Sequence, residues 1–396
     1  MISVADGSRE TIFMGGFLRG KFIRLGFSQL PVYSVRPKRD IMKSIMEKLL
    51  TRTEFREGVF ARDDHQCVIC RATGQDAHHI LERRLFCDPD QLGGYFLANG
   101  ATLCAAHHIQ AEETVLSCEQ VREATGITRT ILPSHLYDDV RYDKWGNQIE
   151  PNGTRLRGEL FHDESVQKIL AQGGVLSDFL PYTRYQRTYH LPWSNMTKDD
   201  RMLENTAQFE GQEVVVTVKM DGANVTMYPD YIHGRSVKPL AGQDSGMVKA
   251  LHAQIRHDIP AGWRLCGENL YAKHSIFYRS LPSYFLLFSV WDDRNECLSW
   301  DETTEWAQML GLTPVSVLYR GLWDEKRVRG LYQLQFEGSD MEGYVVRLTR
   351  RFSYGAFRRS MAKFVRPNFA AGRHNYHRLL ELNALAGDEL ATGGDR

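Results

Sequence analysis

The sequence predicts an α+β protein built on antiparallel sheets and divided into at least two domains. Three observations predict it. The chain has 396 residues, more than one hydrophobic core readily organises. Short β-branched and aromatic runs alternate with loops and a few helical stretches through the second half. Cys and His crowd into one block of the first half, at a spacing that suits a metal better than a disulfide framework.

Composition narrows the class. Hydrophobic residues make up 42% of the chain, enough for sizeable cores. No run of about 18 apolar residues is present, which argues against a membrane span. Met1 to Arg39 lack the charged, apolar, small-residue order of a secretion signal. The seven cysteines are odd in number, which favours a reducing compartment, so the cytoplasm is the expected location. Formal net charge is zero, which argues against binding driven by a global field. Charge is instead segregated: Arg347 to Arg378 hold nine Lys/Arg and no Asp/Glu, interleaved with Phe352, Tyr354, Phe357, Phe364 and Phe369. Such a segment can bind phosphates and stack on bases, or can be a solvated strand-and-loop surface.

Taken in order, residues 1–40 show no period and are expected to be loosely ordered. A helical pattern begins at Ile41-Met42 and continues through Ile45, Met46, Leu49 and Leu50. Residues 41–126 form the Cys/His module. A connector at 127–180 carries the turn signals Trp145-Gly146-Asn147 and Pro151-Asn152-Gly153. A larger domain follows at 181–380, with strands expected at Glu213–Val218, Val225–Tyr228, Tyr284–Trp291 and Gly343–Leu348, and helices at Ser245–His257 and Trp300–Leu310. Residues 381–396 are expected to be a flexible tail.

The chemistry centres on Lys219. Val214 to Val218 read as a β-branched strand that delivers this lysine into Met220-Asp221-Gly222-Ala223-Asn224. Desolvation at a strand end is expected to lower its pKa and free the amine for attack. Gly222 is expected to permit a tight backbone turn beside a phosphate. Lys-x-Asp-Gly alone also describes an ordinary strand end. Further motifs follow in order: Arg235-Ser236, Gly267-Glu268-Asn269-Leu270-Tyr271, Phe285 to Trp291, Glu342-Gly343-Tyr344-Val345, and Lys363-Phe364-Val365-Arg366.

This series resembles the covalent nucleotidyltransferases: ATP-dependent DNA ligases, RNA ligases and mRNA capping enzymes. It is most similar to RNA ligases that seal nicks in duplexes. Arg187 to Ser194 and Gly267 to Tyr278 resemble a bacterial and phage branch of that group. The resemblance covers roughly residues 180–370 and implies an antiparallel-sheet, ATP-grasp-like nucleotidyltransferase core. It implies that Lys219 forms a lysyl-AMP, Arg235 holds ribose or acceptor phosphate, Glu268 binds a ribose hydroxyl, and Phe288 stacks on adenine. Glu342 is then the ligand of Mg²⁺ or Mn²⁺, Lys363 neutralises the α-phosphate, and Asn224 positions phosphate or the 3′ end. Many relatives carry Lys-x-Lys in the last motif; here the order is Lys363-x-x-Arg366, so Arg366 is the candidate for the second cation. Ala370 to His374 depart from the His-Val-rich ending of that branch. About thirty residues follow Arg366, too few for the five-stranded C-terminal barrel of DNA ligases and capping enzymes. That favours an RNA-ligase-like core that grips its duplex with another part of the chain.

In the first half, Cys67-Val68-Ile69-Cys70 and Cys104-Ala105-Ala106-His107 form two paired-ligand knuckles suited to structural Zn²⁺. The plain alternative is a set of reduced thiols beside a surface His. Within this frame lie His78, His79, Asn99 and His108, an arrangement that resembles the HNH (ββα-metal) nucleases. The resemblance implies that His79 activates water, Asn99 orients it, and His78 and His108 bind a divalent ion. Two roles stay open: the module cuts nucleic acid before joining, or keeps the fold as a clamp in place of the barrel.

The expected protein is therefore an ATP-dependent polynucleotide ligase using ATP, Mg²⁺ or Mn²⁺, and Zn²⁺. Its expected partner is nicked duplex nucleic acid with RNA on the 3′-OH side, and no membrane. The alternatives are a bifunctional nuclease–ligase, a capping-type guanylyltransferase, and a repair scaffold with a degenerate ligase core.

Overall fold

The computed structural model describes residues 47–197, 200–242, 244–367, 369 and 381–387. All lie within one compact unit, Ile45–Arg396. The expected loose segment 1–40, residues 41–46 of the expected first helix, and Ala370 to His374 lie outside the described residues. The rest of that helix needs correcting. Leu49 and Leu50 are not helical, and helix α1 runs Arg52–Arg62. The cause is a capping box: Thr51 accepts the Glu54 N–H while Glu54 accepts the Thr51 N–H, so the helix starts there. The Leu50 N–H is spent on Tyr95 O, at 2.9 Å.

Strands β1 (Asp76–His79) and β2 (Gly100–Leu103) pair antiparallel, with His78 opposite Ala101 and His79 opposite Gly100. Helix α2 (Ala105–Glu112) follows β2 after Cys104, and α3 (Cys118–Thr125) starts on a second capping box at Ser117. Phe55 and Val59 of α1 are buried, and Ile80, Leu81, Leu85, Phe86, Phe96, Leu103 and Val121 form the module's core. The two strands, joined by residues 80–99, thus precede α2 in a strand–strand–helix order.

Residues 127–180 are more than a tether. Strands β3 (Arg141–Tyr142), β4 (Gln148–Ile149) and β5 (Arg155–Leu156) form a small antiparallel sheet. Its two turns fall on the expected signals, with Gly146 at φ 77° and Gly153 at φ 87°, a region only glycine enters cheaply. Helix α4 (Glu164–Gln172) is capped by Asp163, and Trp145, Phe161, Val166, Leu170 and Val175 form a core of their own.

The second half has two large sheets and a small antiparallel pair, β15 (Gln335–Phe336) with β16 (Ser339–Asp340). The first takes the order β14 (Val317–Leu322), β7 (Glu213–Lys219), β17 (Gly343–Leu348), β19 (Met361–Val365), β6 (Tyr189–His190). The second runs β18 (Phe352–Ser353), β12 (Glu296–Cys297), β11 (Phe285–Trp291), β10 (Arg264–Asn269), β8 (Ala223–Met227), β9 (Ile232–His233), with β13 (Thr313–Pro314) beside β11. Pairing is antiparallel except for β6 on β19 and β13 on β11. Helices α5 (Ser245–Ile255) and α6 (Trp300–Met309) stand close to the expected spans, a second capping-box Ser, Ser299, starts α6, and a short α7 (Glu325–Arg329) follows β14.

The two-residue period of a strand sorts β7. Val214 and Val216 enter one core with Tyr344, Val346 and Leu348 of β17. Val215 points the other way, into a core with Leu286 of β11, and Lys219 follows on that face. Val345 and Arg347 of β17, Glu268 of β10 and Phe288 of β11 also turn toward the space between the sheets.

The basic segment is mostly internal. Phe352, Tyr354, Phe357 and Phe364 are buried, so they are not a stacking platform. Arg347 is buried and donates to the Phe288 and Leu298 carbonyls; Arg351 pairs with Glu302 and Arg358 with Asp88. At the other end, residues 381–387 pack rather than trail: the Asn383 side chain accepts the Tyr278 N–H at 2.8 Å and donates to Leu270 O at 2.8 Å.

Candidate active site and Cys/His clusters

A cleft of about 330 Å³ opens between the two sheets. Lys219, Asn224, Arg235, Glu268, Phe288 and Lys363 line it, joined by Tyr185, Thr217, Trp300 and Arg347. Glu342, immediately before β17, reaches Lys219 from the neighbouring strand, because Gly343 sits opposite Lys219 in the β7–β17 register. The Lys219 ammonium donates to Glu342 Oε2 at 2.6 Å. Seven residues gathered from six parts of the sequence thus meet in one place. Arg366 does not join them: its guanidinium is 3.3 Å from Asp340 and lies over the Phe369 ring.

Charge in the cleft is set by burial working against close partners. Burial alone would push the Lys219 ammonium down, but the carboxylates of Glu342, Glu268 and Asp221 outweigh it and hold the pKa above the ordinary lysine value. This corrects the expectation of a depressed pKa: desolvation acts, and the acidic neighbours win. Burial lifts Glu268 to about 7, with Lys219 opposing it, and lifts Glu342 above the usual carboxylate value in the same way. Two crowded carboxylates whose ionised forms are both disfavoured make an oxygen donor set that fits a hard divalent cation. Lys363 is lowered by burial and by Lys219 and Arg235, with Asp200 at 3.4 Å pulling the other way. The Asn224 Oδ1 atom is buried without a hydrogen-bond partner.

Two residues of the Lys219 loop do structural work that the motif alone did not reveal. Asp221 accepts the backbone N–H groups of Ser275 and Ile276, at 2.7 and 2.8 Å, and so pins the loop beyond β10. Gly222 is required by proximity rather than by turn geometry, since a Cβ there would meet Asn269 O at 2.4 Å. Its N–H donates to Glu268 at 3.2 Å. Asp200 was also missed. It bridges Lys363 and His190, whose Nε2 is 3.3 Å away, and so ties the Arg187–Ser194 block on β6 to β19.

In the first half, the ligand atoms of Cys67, Cys70, Cys104 and His107 lie within 4.8 Å of one another. Cys70 and Cys104 sulfurs are 3.8 Å apart, and His107 Nδ1 lies 3.5 Å from Cys67 Sγ and 3.2 Å from Cys104 Sγ. Ligands at about 2.3 Å in a tetrahedron stand about 3.8 Å apart, so the set fits zinc. Burial raises the Cys67 thiol, but backbone N–H groups of Cys104, Cys70 and Ile69 bring it down to about 7.

A second cluster contains His78, His108 and a residue not anticipated, Glu112. Glu112 Oε1 is 3.5 Å from His78 Nδ1 and 3.2 Å from His108 Nε2. The i,i+4 spacing of His108 and Glu112 on α2 was a readable signal. Lys144 was not readable: its ammonium lies 2.9 Å from the same Glu112 oxygen and donates to His79 O at 2.9 Å, across 65 residues of sequence. His79 stacks on Phe55 at 4.4 Å, with its buried Nε2 unpartnered. Asn99 is placed otherwise than expected. It is buried, accepts the Leu81 N–H and donates to the Leu81 and Gly94 carbonyls, so it fastens a loop rather than reaching the cleft beside His79.

A family model described as RNA ligase matches residues 212–365. No curated protein matches the chain. Among solved structures, a mutant of the Naegleria gruberi RNA ligase with ATP and Mn is 18% identical over 41% of this chain and 52% of that one, with a TM-score of 0.31. A second mutant of that ligase, also with ATP and Mn, is 17% identical over 46% and 60%, with a TM-score of 0.32. An archaeal ATP-dependent RNA ligase is 16% identical over 46% and 48%, with a TM-score of 0.32. The chain thus spans about half the length of the first of these structures. The matched stretch 212–365 carries Lys219, Glu268, Glu342 and Lys363.

Proposed function

We propose that this protein is an ATP-dependent polynucleotide ligase with Lys219 as its nucleophile. The observation that carries the reading is the Lys219–Glu342 pair at 2.6 Å, in a cleft also lined by Glu268, Phe288, Arg235 and Lys363. The Lys219 amine attacks the α-phosphorus of ATP, expelling pyrophosphate and forming a lysyl-AMP phosphoramidate. The AMP passes to a 5′-phosphate end, and a 3′-OH then displaces it to close the strand. Phe288, on β11 with Tyr185 edge-on at 5.3 Å, offers an aromatic face for adenine. Lys363 and Arg235 supply fixed positive charge where phosphate oxygens gain negative charge. Glu342 and Glu268 are the residues that would hold a divalent cation, which would offset that charge and compete for the carboxylates keeping Lys219 protonated.

The substrate we infer is a nick in a duplex with RNA on the 3′-OH side. The Cys/His module, fixed by zinc on Cys67, Cys70, Cys104 and His107, serves as the clamp on the duplex. The test begins with α-labelled ATP and GTP. Wild type should take covalent label from ATP alone, and Lys219→Ala should take none. Label from GTP alone would favour a guanylyltransferase, and label from neither would end the enzyme reading. Sealing of nicked duplexes with each DNA/RNA combination then reads the sugar preference.

A further inference from the structure

The geometry points to Lys144 as a resident cation in the second cluster of the Cys/His module, in the place where a nuclease would need a divalent metal. The module then holds a phosphodiester backbone without hydrolysing it. This rests on the clamp reading above and gives it a cause.

Glu112 is the pivot. One of its oxygens, Oε1, faces His108 at 3.2 Å, His78 at 3.5 Å and the Lys144 ammonium at 2.9 Å. A divalent ion bonded to that oxygen would lie about 2.0–2.2 Å from it, and so within about 5 Å of the ammonium that shares the oxygen at 2.9 Å. Two like charges at that separation in a half-buried site repel strongly. The residues present therefore do not fit a metal while Lys144 stays where it is.

Lys144 is also hard to displace. Its side chain is 4% exposed. The ammonium is held from three directions: by Glu112 of α2, by His79 O of β1 at 2.9 Å, and by Glu82 at 3.8 Å. Its backbone is fixed on both sides, since Lys144 O accepts the Glu82 N–H at 2.8 Å and the next residue, Trp145, donates its indole N–H to Glu112 O at 2.8 Å. Asp143 closes the turn by accepting the Trp145 and Asn147 N–H groups, at 2.9 and 3.0 Å. The lysine thus arrives on a rigid turn between β3 and β4 whose anchors are the cluster's own backbone.

What surrounds it suits an anion. The cleft over the cluster, about 280 Å³, is lined by Arg52 and Arg56 of α1, Arg83, Lys144, His79 and Tyr95, against Asp76, Glu82 and Glu112. Arg52, Arg56 and Arg83 are exposed, and they offer forked donors to phosphate oxygens along a duplex groove.

The experiment uses the full chain with its zinc retained and Mn²⁺ as the probe, counted by electron paramagnetic resonance without nucleotide. Wild type and His108→Ala should bind the same number of Mn²⁺ ions, and Lys144→Ala should bind one more per chain, lost again when Glu112→Gln is added. Supercoiled plasmid with Mn²⁺ should stay uncut by wild type. A wild-type Mn²⁺ ion that His108→Ala removes, or plasmid cutting that His79→Ala abolishes, overturns the proposal without any need for the Lys144 variant to fold. The clamp reading fails separately. Combined Arg52→Ala, Arg56→Ala and Arg83→Ala should weaken nicked-duplex binding by roughly five- to tenfold at fixed salt, and unchanged binding would remove the clamp while leaving the Mn²⁺ count intact.

Discussion

Lys219 waits as a cation, and its nearest carboxylate sets how firmly. Glu342, at 2.6 Å, does most to lift the lysine pKa against the pull of burial. Replacing it by Gln keeps the shape and removes the charge. Without ATP, the reactivity of Lys219 toward a small amine reagent should then titrate at lower pH than in wild type, by a unit or more. Superimposable pH profiles would show that the pair does not govern the amine. Glu268 gives a second test, in stability. Burial places its folded-state pKa at about 7, above the ordinary 4.5. Between those values the folded protein binds more protons than the unfolded chain, so stability falls as pH rises from about 4.5 through 7. Glu268→Gln removes that penalty. Its unfolding free energy, from denaturant titration, should exceed that of wild type at pH 8 and not at pH 4, by on the order of 2 kcal/mol once partial exposure is allowed for. The same variant should lose nucleotide binding, because the carboxylate faces the cleft.

Elements place these residues, and the sequence revealed some elements more readily than others. The β7 strand was legible because Val214 to Val218 are β-branched throughout and strand geometry needs no partner to be recognised. Alternation along β7, β17 and β11 then sends Lys219, Arg347 and Phe288 to one cleft, which ordered motifs alone could only imply. The start of α1 was misread because apolar Leu49 and Leu50 extend a helical period past the Thr51 cap, and a capping box outweighs two hydrophobic positions. Glu112 was readable from helix spacing. Lys144 and Asp200 were not, because their contacts come from tertiary packing between segments far apart in sequence. Where spacing did suffice, it makes a clear claim. Cys67 and Cys70 sit on one loop, and Cys104 and His107 sit at the start of α2, so a metal there staples α2 to the loop before β1. Cys104→Ser should lower bound zinc from one equivalent to well below one, measured by mass spectrometry of the metal. It should also lower the melting temperature, since a metal that binds only the folded site adds its binding energy to stability. Full zinc occupancy in that variant would remove Cys104 from the ligand set.

At the scale of the molecule, the two-sheet domain meets the Cys/His module and the 127–180 segment through polar contacts. Arg358 of α8 (Phe357–Ser360), nearly buried, lies 3.0 Å from Asp88 of the module and donates to Ser134 at 2.9 Å. Tyr189 on β6 donates to Ser134 O at 3.3 Å, and Tyr137 lies between the guanidinium groups of Arg187 and Arg201, at 4.9 and 5.1 Å. These same arginines, with Asp200, Arg184 and residues 137–140, line an opening beside the Lys219 cleft. The contact therefore holds the module at a fixed position relative to the strand that carries Lys363, where a duplex gripped by one would be presented to the other. A polar contact of this kind is broken by removing one charge, because the partner is left desolvated. Asp88→Ala removes the carboxylate paired with Arg358, leaving it the Ser134 hydroxyl and the field of Glu159, and should cost about 1–3 kcal/mol of stability. Its sharper effect is on the reaction. On the proposed reading, attachment of AMP to Lys219 needs only the cleft between the sheets and should persist near the wild-type rate. Sealing of a nicked duplex needs both bodies in register and should fall by about tenfold or more, a loss of roughly 1.4 kcal/mol in transition-state stabilisation. If labelling and sealing fall together, Asp88 supports the ligase fold itself; if neither falls, the module does not position the duplex for Lys219.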